Sequence, residues 1–142
     1  MKAMTTSAAP ASEMMQRVGA HACTDVTGFG LLGHAYEMAR ASEVTLVLQA
    51  KRVPLLPDVL ELISQGMLTR GDKNNRVYVG DTLEFATNIA SEMQSALFDP
   101  QTAGGLLISI AQERAEEFVR DLSGAAIIGE VKPRSDKLLR VI

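Results

Sequence analysis

Tryptophan is missing from this sequence, and aromatic residues make up only 4% of it. Such a chain has no row of rings on which nucleic-acid bases could stack. Positive charge is not in excess either: 14 lysines and arginines face 17 acids, for a net charge of -3. Nothing therefore marks a polyanion-binding surface, and nucleic acid is not expected as a partner. No apolar run approaches the roughly 20 residues of a membrane span. The opening "MKAMTTSAAPASEMM" has one lysine and no continuous apolar stretch, so no signal peptide and no membrane partner are expected. A single cysteine rules out an internal disulfide framework and makes the cytoplasm the default setting.

What is present suits one globular domain. The 142 residues are 46% hydrophobic and 22% charged, enough to bury a core. The first nine or so residues are small and polar and are expected to fray; a boundary is drawn between a terminal segment, 1–12, and a domain, 13–142. Pro10 can open a helix carrying Met14, Met15 and Val18, with Gly19 just past its end. Leu31, Leu32, Ala35, Met38 and Ala39 follow helical spacing to about Arg40 or Ala41. "VTLVLQ" (44–49) is a short β-branched strand. Pro54 and Pro57 bracket a turn, and Asp58 begins a helix that stops at Gly66. "LTRGDKNNRVYVGDT" has the composition of a loop. "EFATNIASEMQSALF" has a helical pattern, and Gly104-Gly105 leads into the buried strand "LLISI". "AQERAEEFVRDLSG" is a charged helix capped near Gly124. "AAIIGEV" and "KLLRVI" are strands joined hairpin-fashion by "KPRSD". Interleaved helices and strands imply a layered domain with helices covering a mixed sheet.

The chemistry concentrates in "HACTDVTGFGLLGHA" (21–35), where an acid between two threonines precedes two glycines and an apolar helix. Asp25 has two readings. Its carboxylate can cap backbone N–H groups at the turn into the 29–40 helix. Alternatively it is a ligand of Mg2+ carrying a nucleotide's phosphates, since that hard ion takes one or two carboxylates plus phosphate and water oxygens. Thr24, Thr27, Gly28 and Gly30 suit the second reading: hydroxyls can donate, and glycines let backbone N–H groups approach an anion. No Gly-Lys-Ser/Thr follows, so this is not a Walker A loop.

"HACTDVTGFGLLGHAYEMARAS", together with "LFDPQTAGGLLIS", closely resembles the C-terminal half of the selenophosphate synthetase (selenide, water dikinase) family. That family lies within the aminoimidazole ribonucleotide synthetase superfamily. The resemblance runs from about Glu13 to Ile142. Thr-Asp-x-Thr-Gly is shared across the superfamily, whereas Thr-Gly-Phe-Gly-Leu-Leu-Gly-His points to the selenium enzyme. It implies an α+β fold, a three-layer α/β/α domain with a mixed sheet and partly ferredoxin-like character. It also implies conversion of ATP, selenide and water to selenophosphate, AMP and phosphate with Mg2+, and it assigns Asp25 to a metal-binding aspartate. The family's reactive Cys or selenocysteine, its lysine, its glycine-rich ATP segment and further aspartates lie in an N-terminal domain that these residues do not match. The chain is thus expected to be about half an enzyme, inactive alone and holding neither Mg2+ nor ATP by itself. Its partners would be that N-terminal domain and a second copy in a homodimer.

Secondary candidates follow from the same resemblance. Asn75 matches an asparagine of the family's corresponding loop, and Thr102 and Gly104 sit in a loop facing the interdomain cleft. Lys51, Arg52, Arg70, Lys73 and Arg76 fall in two loops and are read as a solvated surface in preference to a phosphate-drawing one. Cys23 does not match the reactive position and is expected to be a buried structural thiol. His34 is expected to be packed or hydrogen-bonded. The rival readings are another superfamily synthetase, such as the purine-pathway enzyme or a hydrogenase-maturation protein, and a stand-alone interaction domain without catalysis.

Overall fold

A computed structural model describes residues 9–142. The first helix, α1 (Ala9–Val18), takes in the end of the 1–12 segment; residues 1–8, expected to fray, lie outside the described residues. Gly19 ends α1 at φ +74°, the left-handed conformation that a glycine C-cap supplies. Then follow β1 (Ala22–Asp25), α2 (Gly30–Ala41), β2 (Val44–Leu48), α3 (Val59–Ser64) and α4 (Arg70–Val79). The chain continues through β3 (Leu83–Phe85), α5 (Ser91–Phe98), β4 (Leu106–Ser109), α6 (Gln112–Asp121), β5 (Gly129–Pro133) and β6 (Leu139–Val141). Among the described residues no helix is long and apolar enough to cross a membrane.

The strands form two sheets, one of them mixed, so the molecule is an α+β protein. β1 and β4 make an antiparallel ribbon with Asp25 opposite Leu106 at one end and Ala22 opposite Ser109 at the other. The larger sheet has the order β3-β6-β2-β5: β6 runs parallel to both β3 and β2, while β5 is antiparallel to β2. The expected hairpin of the last two strands does not exist. β2 lies between them, and "KPRSD" is a crossing whose Ser135 is tied to Thr45 on β2 through Oγ1···Oγ and N–H···Oγ1 contacts of 3.1 and 3.0 Å.

α2 packs on both sheets, and its buried Leu32, Ala35 and Ala39 meet Leu46, Leu48, Leu107, Leu139 and Val141 in the main core. Phe98 at the end of α5 is almost wholly buried there, and burying such a side chain stabilises by about 1.5–3 kcal/mol. A second, smaller cluster forms from Met14 and Val18 of α1 and Phe118 of α6, packed on Ile108 of β4. Leu107 and Ile108, successive residues of β4, thus serve different cores, as strand alternation dictates.

Two expectations fail for physical reasons. The segment taken for a loop, "LTRGDKNNRVYVGDT", is mostly the helix α4. Its buried residues are Asp72, Asn75 and Val79, so helical spacing is present but carried by polar side chains, which hydrophobic periodicity does not register. "EFATNIASEMQSALF" is helical only from Ser91. Glu84 and Phe85 pair instead with Arg140 and Val141 of β6.

Candidate functional site

The motif residues sit where the ribbon runs out. Past Asp25 and Leu106 the two chains stay joined: Val26 N–H donates to Gly105 O and Gly104 N–H to Val26 O, both at 2.9 Å, and Gln101 N–H donates to Thr27 O at 3.0 Å. The loop after β1 and the loop before β4 therefore form one continuous surface. Gly104 is required for this closeness, because a Cβ there would lie 2.9 Å from Val26 O. Gly30, which opens α2, has φ +66°, and a Cβ on it would lie 2.7 Å from the backbone of Phe98. The glycines of "TGFG" and "AGG" thus let three backbone segments converge.

Asp25 is exposed at the end of β1. Its carboxylate makes no hydrogen bond or ion pair among the described residues; its backbone pairs with Leu106 in the ribbon, and its carbonyl accepts from Thr24 Oγ1 at 3.3 Å. The capping reading is overturned: α2 has Phe29 at its N-cap and no side-chain cap at all. Strand alternation puts Thr24 on the opposite face of β1 from Asp25. Gly28 and Thr102 are exposed, and Thr27 is half-buried with its hydroxyl 3.1 Å from His34 Nε2. His34 is buried, as expected of a packed, hydrogen-bonded histidine.

Asn75 lies beneath this surface rather than on it. It is 4% exposed, and its side-chain amide donates to Gly28 O at 3.1 Å and to Phe98 O at 2.9 Å. One α4 side chain therefore holds the motif loop to the end of α5. Thr69 Oγ1 donates to Asp99 Oδ1 at 2.9 Å, and Gly71 packs so tightly on Pro100 that an added Cβ would lie 2.1 Å from Pro100 Cγ. Arg76 is half-buried and tied to the scaffold, on a helix rather than in a loop. It donates to Asp72 Oδ1 at 2.9 Å and Ser95 Oγ at 3.0 Å, with its guanidinium 4.8 Å from the Phe98 ring centroid. Lys51, Arg52, Arg70 and Lys73 are exposed, in keeping with a solvated surface, although Arg70 and Lys73 also lie on α4 and not in the expected loop.

Cys23 is exposed, contrary to expectation, and lines a shallow open depression of about 430 Å³ with Met15 and Gln16 of α1. Its thiol is pushed up from the ordinary range by partial burial and secondarily by the Asp25 charge, the reverse of what activates a nucleophile. Sequence reasoning missed Glu37 and Tyr78. Tyr78 stacks on Phe29 at a centroid distance of 5.0 Å and donates its hydroxyl to Glu37 Oε1 at 2.9 Å, while Glu37 Oε2 lies 3.8 Å from His34 Nδ1. The i, i+3 spacing of His34 and Glu37 was the available signal.

Compared with known proteins, residues 2–141 match the family model described as AIR synthase related protein, C-terminal domain. Curated relatives include the selenide, water dikinases of Clostridioides difficile, 42% identical over 137 residues, and Caldanaerobacter subterraneus, 44% identical over 131 residues. That of Treponema denticola is 43% identical over 142 residues. These matches cover 93%, 89% and 94% of this chain but only 39%, 38% and 40% of the relatives, so the chain spans about two fifths of their length. Among solved structures, the E. coli hydrogenase maturation protein HypE matches with a TM-score of 0.63 at 19% identity, covering 93% of this chain and 35% of that one. This last likeness is one of fold.

Proposed function

Because the chain belongs to the AIR synthase related protein C-terminal domain family, we propose that it serves as the C-terminal domain of an ATP-dependent selenophosphate synthetase. The reaction would convert ATP, selenide and water to selenophosphate, AMP and phosphate, in the cytoplasm and in a homodimeric enzyme. Support comes from 42–44% identity to selenide, water dikinases across nearly the whole chain. The observation that carries the site assignment is Asp25: an exposed, unpaired carboxylate held at the lip of two interlocked glycine-rich loops.

Asp25 fits Mg2+ as one ligand among several. No three His, Cys, Asp or Glu side chains cluster into a metal site among the described residues, so the remaining ligands must come from phosphates, water and another part of the enzyme. When bound, Mg2+ would supply charge neutralisation for the phosphates of ATP. This domain's own contribution is positional. Asp25 offers an anionic side chain on a backbone held in the ribbon, Gly28 and Gly104 keep the loop surface low, and Asn75 holds the loop from beneath. Thr24 and Thr102 have weaker claims as phosphate contacts, the first because of its orientation. The HypE likeness carries no argument for hydrogenase maturation, and nothing observed favours a purely interacting domain.

The chain alone should fold yet release no AMP from Mg-ATP and selenide. One carboxylate cannot hold and orient a triphosphate for in-line attack. Replacing the matching part of the C. difficile selenide, water dikinase with residues 13–142 should give a chimaera that makes AMP and selenophosphate, detected by 31P NMR. Asp25→Asn should abolish both products. A folded but inert chimaera, or an Asp25→Asn chimaera with full turnover, would overturn the reading.

A further inference from the structure

His34 is buried, and its Nδ1 is closed off from solvent with no hydrogen-bond partner. The charged group facing that nitrogen is Glu37, whose Oε2 is 3.8 Å away and whose Oε1 is pinned by the Tyr78 hydroxyl at 2.9 Å. A lone pair on Nδ1 would sit 3.8 Å from a negative charge, whereas an N–H there sets a positive end beside it. The Glu37 carboxylate itself is solvated, but Nδ1 has no water of its own to bond, so the second arrangement is favoured. The other nitrogen, Nε2, then carries the lone pair and must accept. Thr27 Oγ1, at 3.1 Å, is the group it accepts from. A threonine hydroxyl has one proton and two acceptor sites.

We infer that His34 is a positioning residue: fixed by Glu37 as the Nδ1-protonated tautomer, its Nε2 accepts the hydrogen bond of the Thr27 hydroxyl and leaves Thr27 able only to accept from other groups. A hydroxyl in that state has nothing to donate to a phosphate oxygen, which brings no proton of its own. It can accept from water held by a cation, or face the cation directly. Thr27 therefore serves the ion or its hydration shell and not the phosphates, which reverses the donor role its position in the motif suggests. The identity of Thr27's partner rests on the Mg2+ reading of Asp25. The tautomer and the direction of the hydroxyl do not.

The tautomer is read directly from two-bond 1H–15N correlation spectra of the chain labelled in its histidine rings. The expected result is Nδ1 protonated and Nε2 unprotonated for His34. Protonation at Nε2, in a neutral or a charged ring, would overturn the inference. Glu37→Met should mix the two tautomers, while Asp25→Asn should leave the spectrum unchanged; an unchanged Glu37→Met spectrum would remove Glu37 from the argument. In the chimaera, Thr27→Val should raise the Mg2+ needed for half-maximal turnover about tenfold, the scale of a lost outer-shell contact, with the KM for ATP at saturating Mg2+ unchanged. A raised KM for ATP with an unaltered Mg2+ requirement would overturn the assignment of Thr27 to the ion. An active Asp25→Asn chimaera with the tautomer intact would instead locate the failure in the metal reading of Asp25.

Discussion

Asn75 and Gly28 are 47 residues apart, yet the amide of the first supports the carbonyl of the second at 3.1 Å while also reaching Phe98 O. Asn75→Ala leaves two carbonyls without that donor, one buried and one part-buried, and each such bond is worth about 0.5–1.5 kcal/mol net. The variant should lose about 1–3 kcal/mol of stability in urea unfolding. Asn75→Asp should do worse, because it sets a carboxylate oxygen against carbonyl oxygens at nearly constant shape. Unchanged midpoints for both would remove Asn75 from the scaffold.

Asp25 should behave in the opposite way. With no cap and no ion pair to lose, both Asp25→Asn and Asp25→Ala should leave the unfolding midpoint within about 0.5 kcal/mol of the native protein, as an open surface substitution does. In the chimaeric enzyme each should cut turnover by on the order of 100-fold or more, the scale of lost charge stabilisation at a reacting phosphate. Loss of stability by Ala but not by Asn would restore the capping role.

Gly30→Ala tests the convergence of the three segments. The new methyl would meet the Phe98 carbonyl group at 2.7 Å, backbone that cannot rotate away, from a left-handed φ of +66°. A loss of at least 2 kcal/mol, roughly the upper range for overpacking and strain, should appear in thermal or urea unfolding. Gly28→Ala, where an added Cβ meets nothing within 4 Å, is the control and should cost far less.

Cys23 gives a pH-linked readout. Its raised pKa means that at a given pH the folded protein holds less thiolate than the unfolded chain, so alkylation by iodoacetamide near pH 8 should be slower in buffer than in urea. Because Asp25 supplies part of the upward push, Asp25→Asn should speed the folded-state reaction. An alkylation rate faster in the folded state than in urea would mean an activated thiol.

How much of this was legible beforehand depended on which side chains carry each pattern. α2 announces itself because Leu32, Ala35 and Ala39 are apolar at helical spacing. α4 does not, because its buried stripe is Asp72, Asn75 and Val79, and only tertiary partners such as Gly28 O reveal why a polar stripe is buried. The close approach at the glycines after Asp25 was legible because glycines ahead of an apolar helix let backbone come near. Of the Glu37–His34–Thr27 chain only the i, i+3 step was legible, since the Thr27 contact and the Tyr78 hydroxyl that holds Glu37 arise from the fold. The ribbon strand β1 was missed because four residues with half-exposed sides leave no alternation strong enough to read.

The place of β6 has a consequence for synthesis. Its three residues lie between β3 and β2, parallel to both, so the centre of the larger sheet is made by Leu139–Val141. While the ribosome still shields those residues, β2 has only β5 beside it, and β3 has no strand beside it. The main core, to which Leu139 and Val141 contribute fully buried side chains, would stay open until they emerge. Folding of this domain is therefore expected to complete only after Val141 is released, through contacts spanning most of its length, and such non-local closure is slow. A nascent chain stalled just short of Leu139 would be sensitive to protease throughout, whereas one stalled well beyond Ile142 would be resistant.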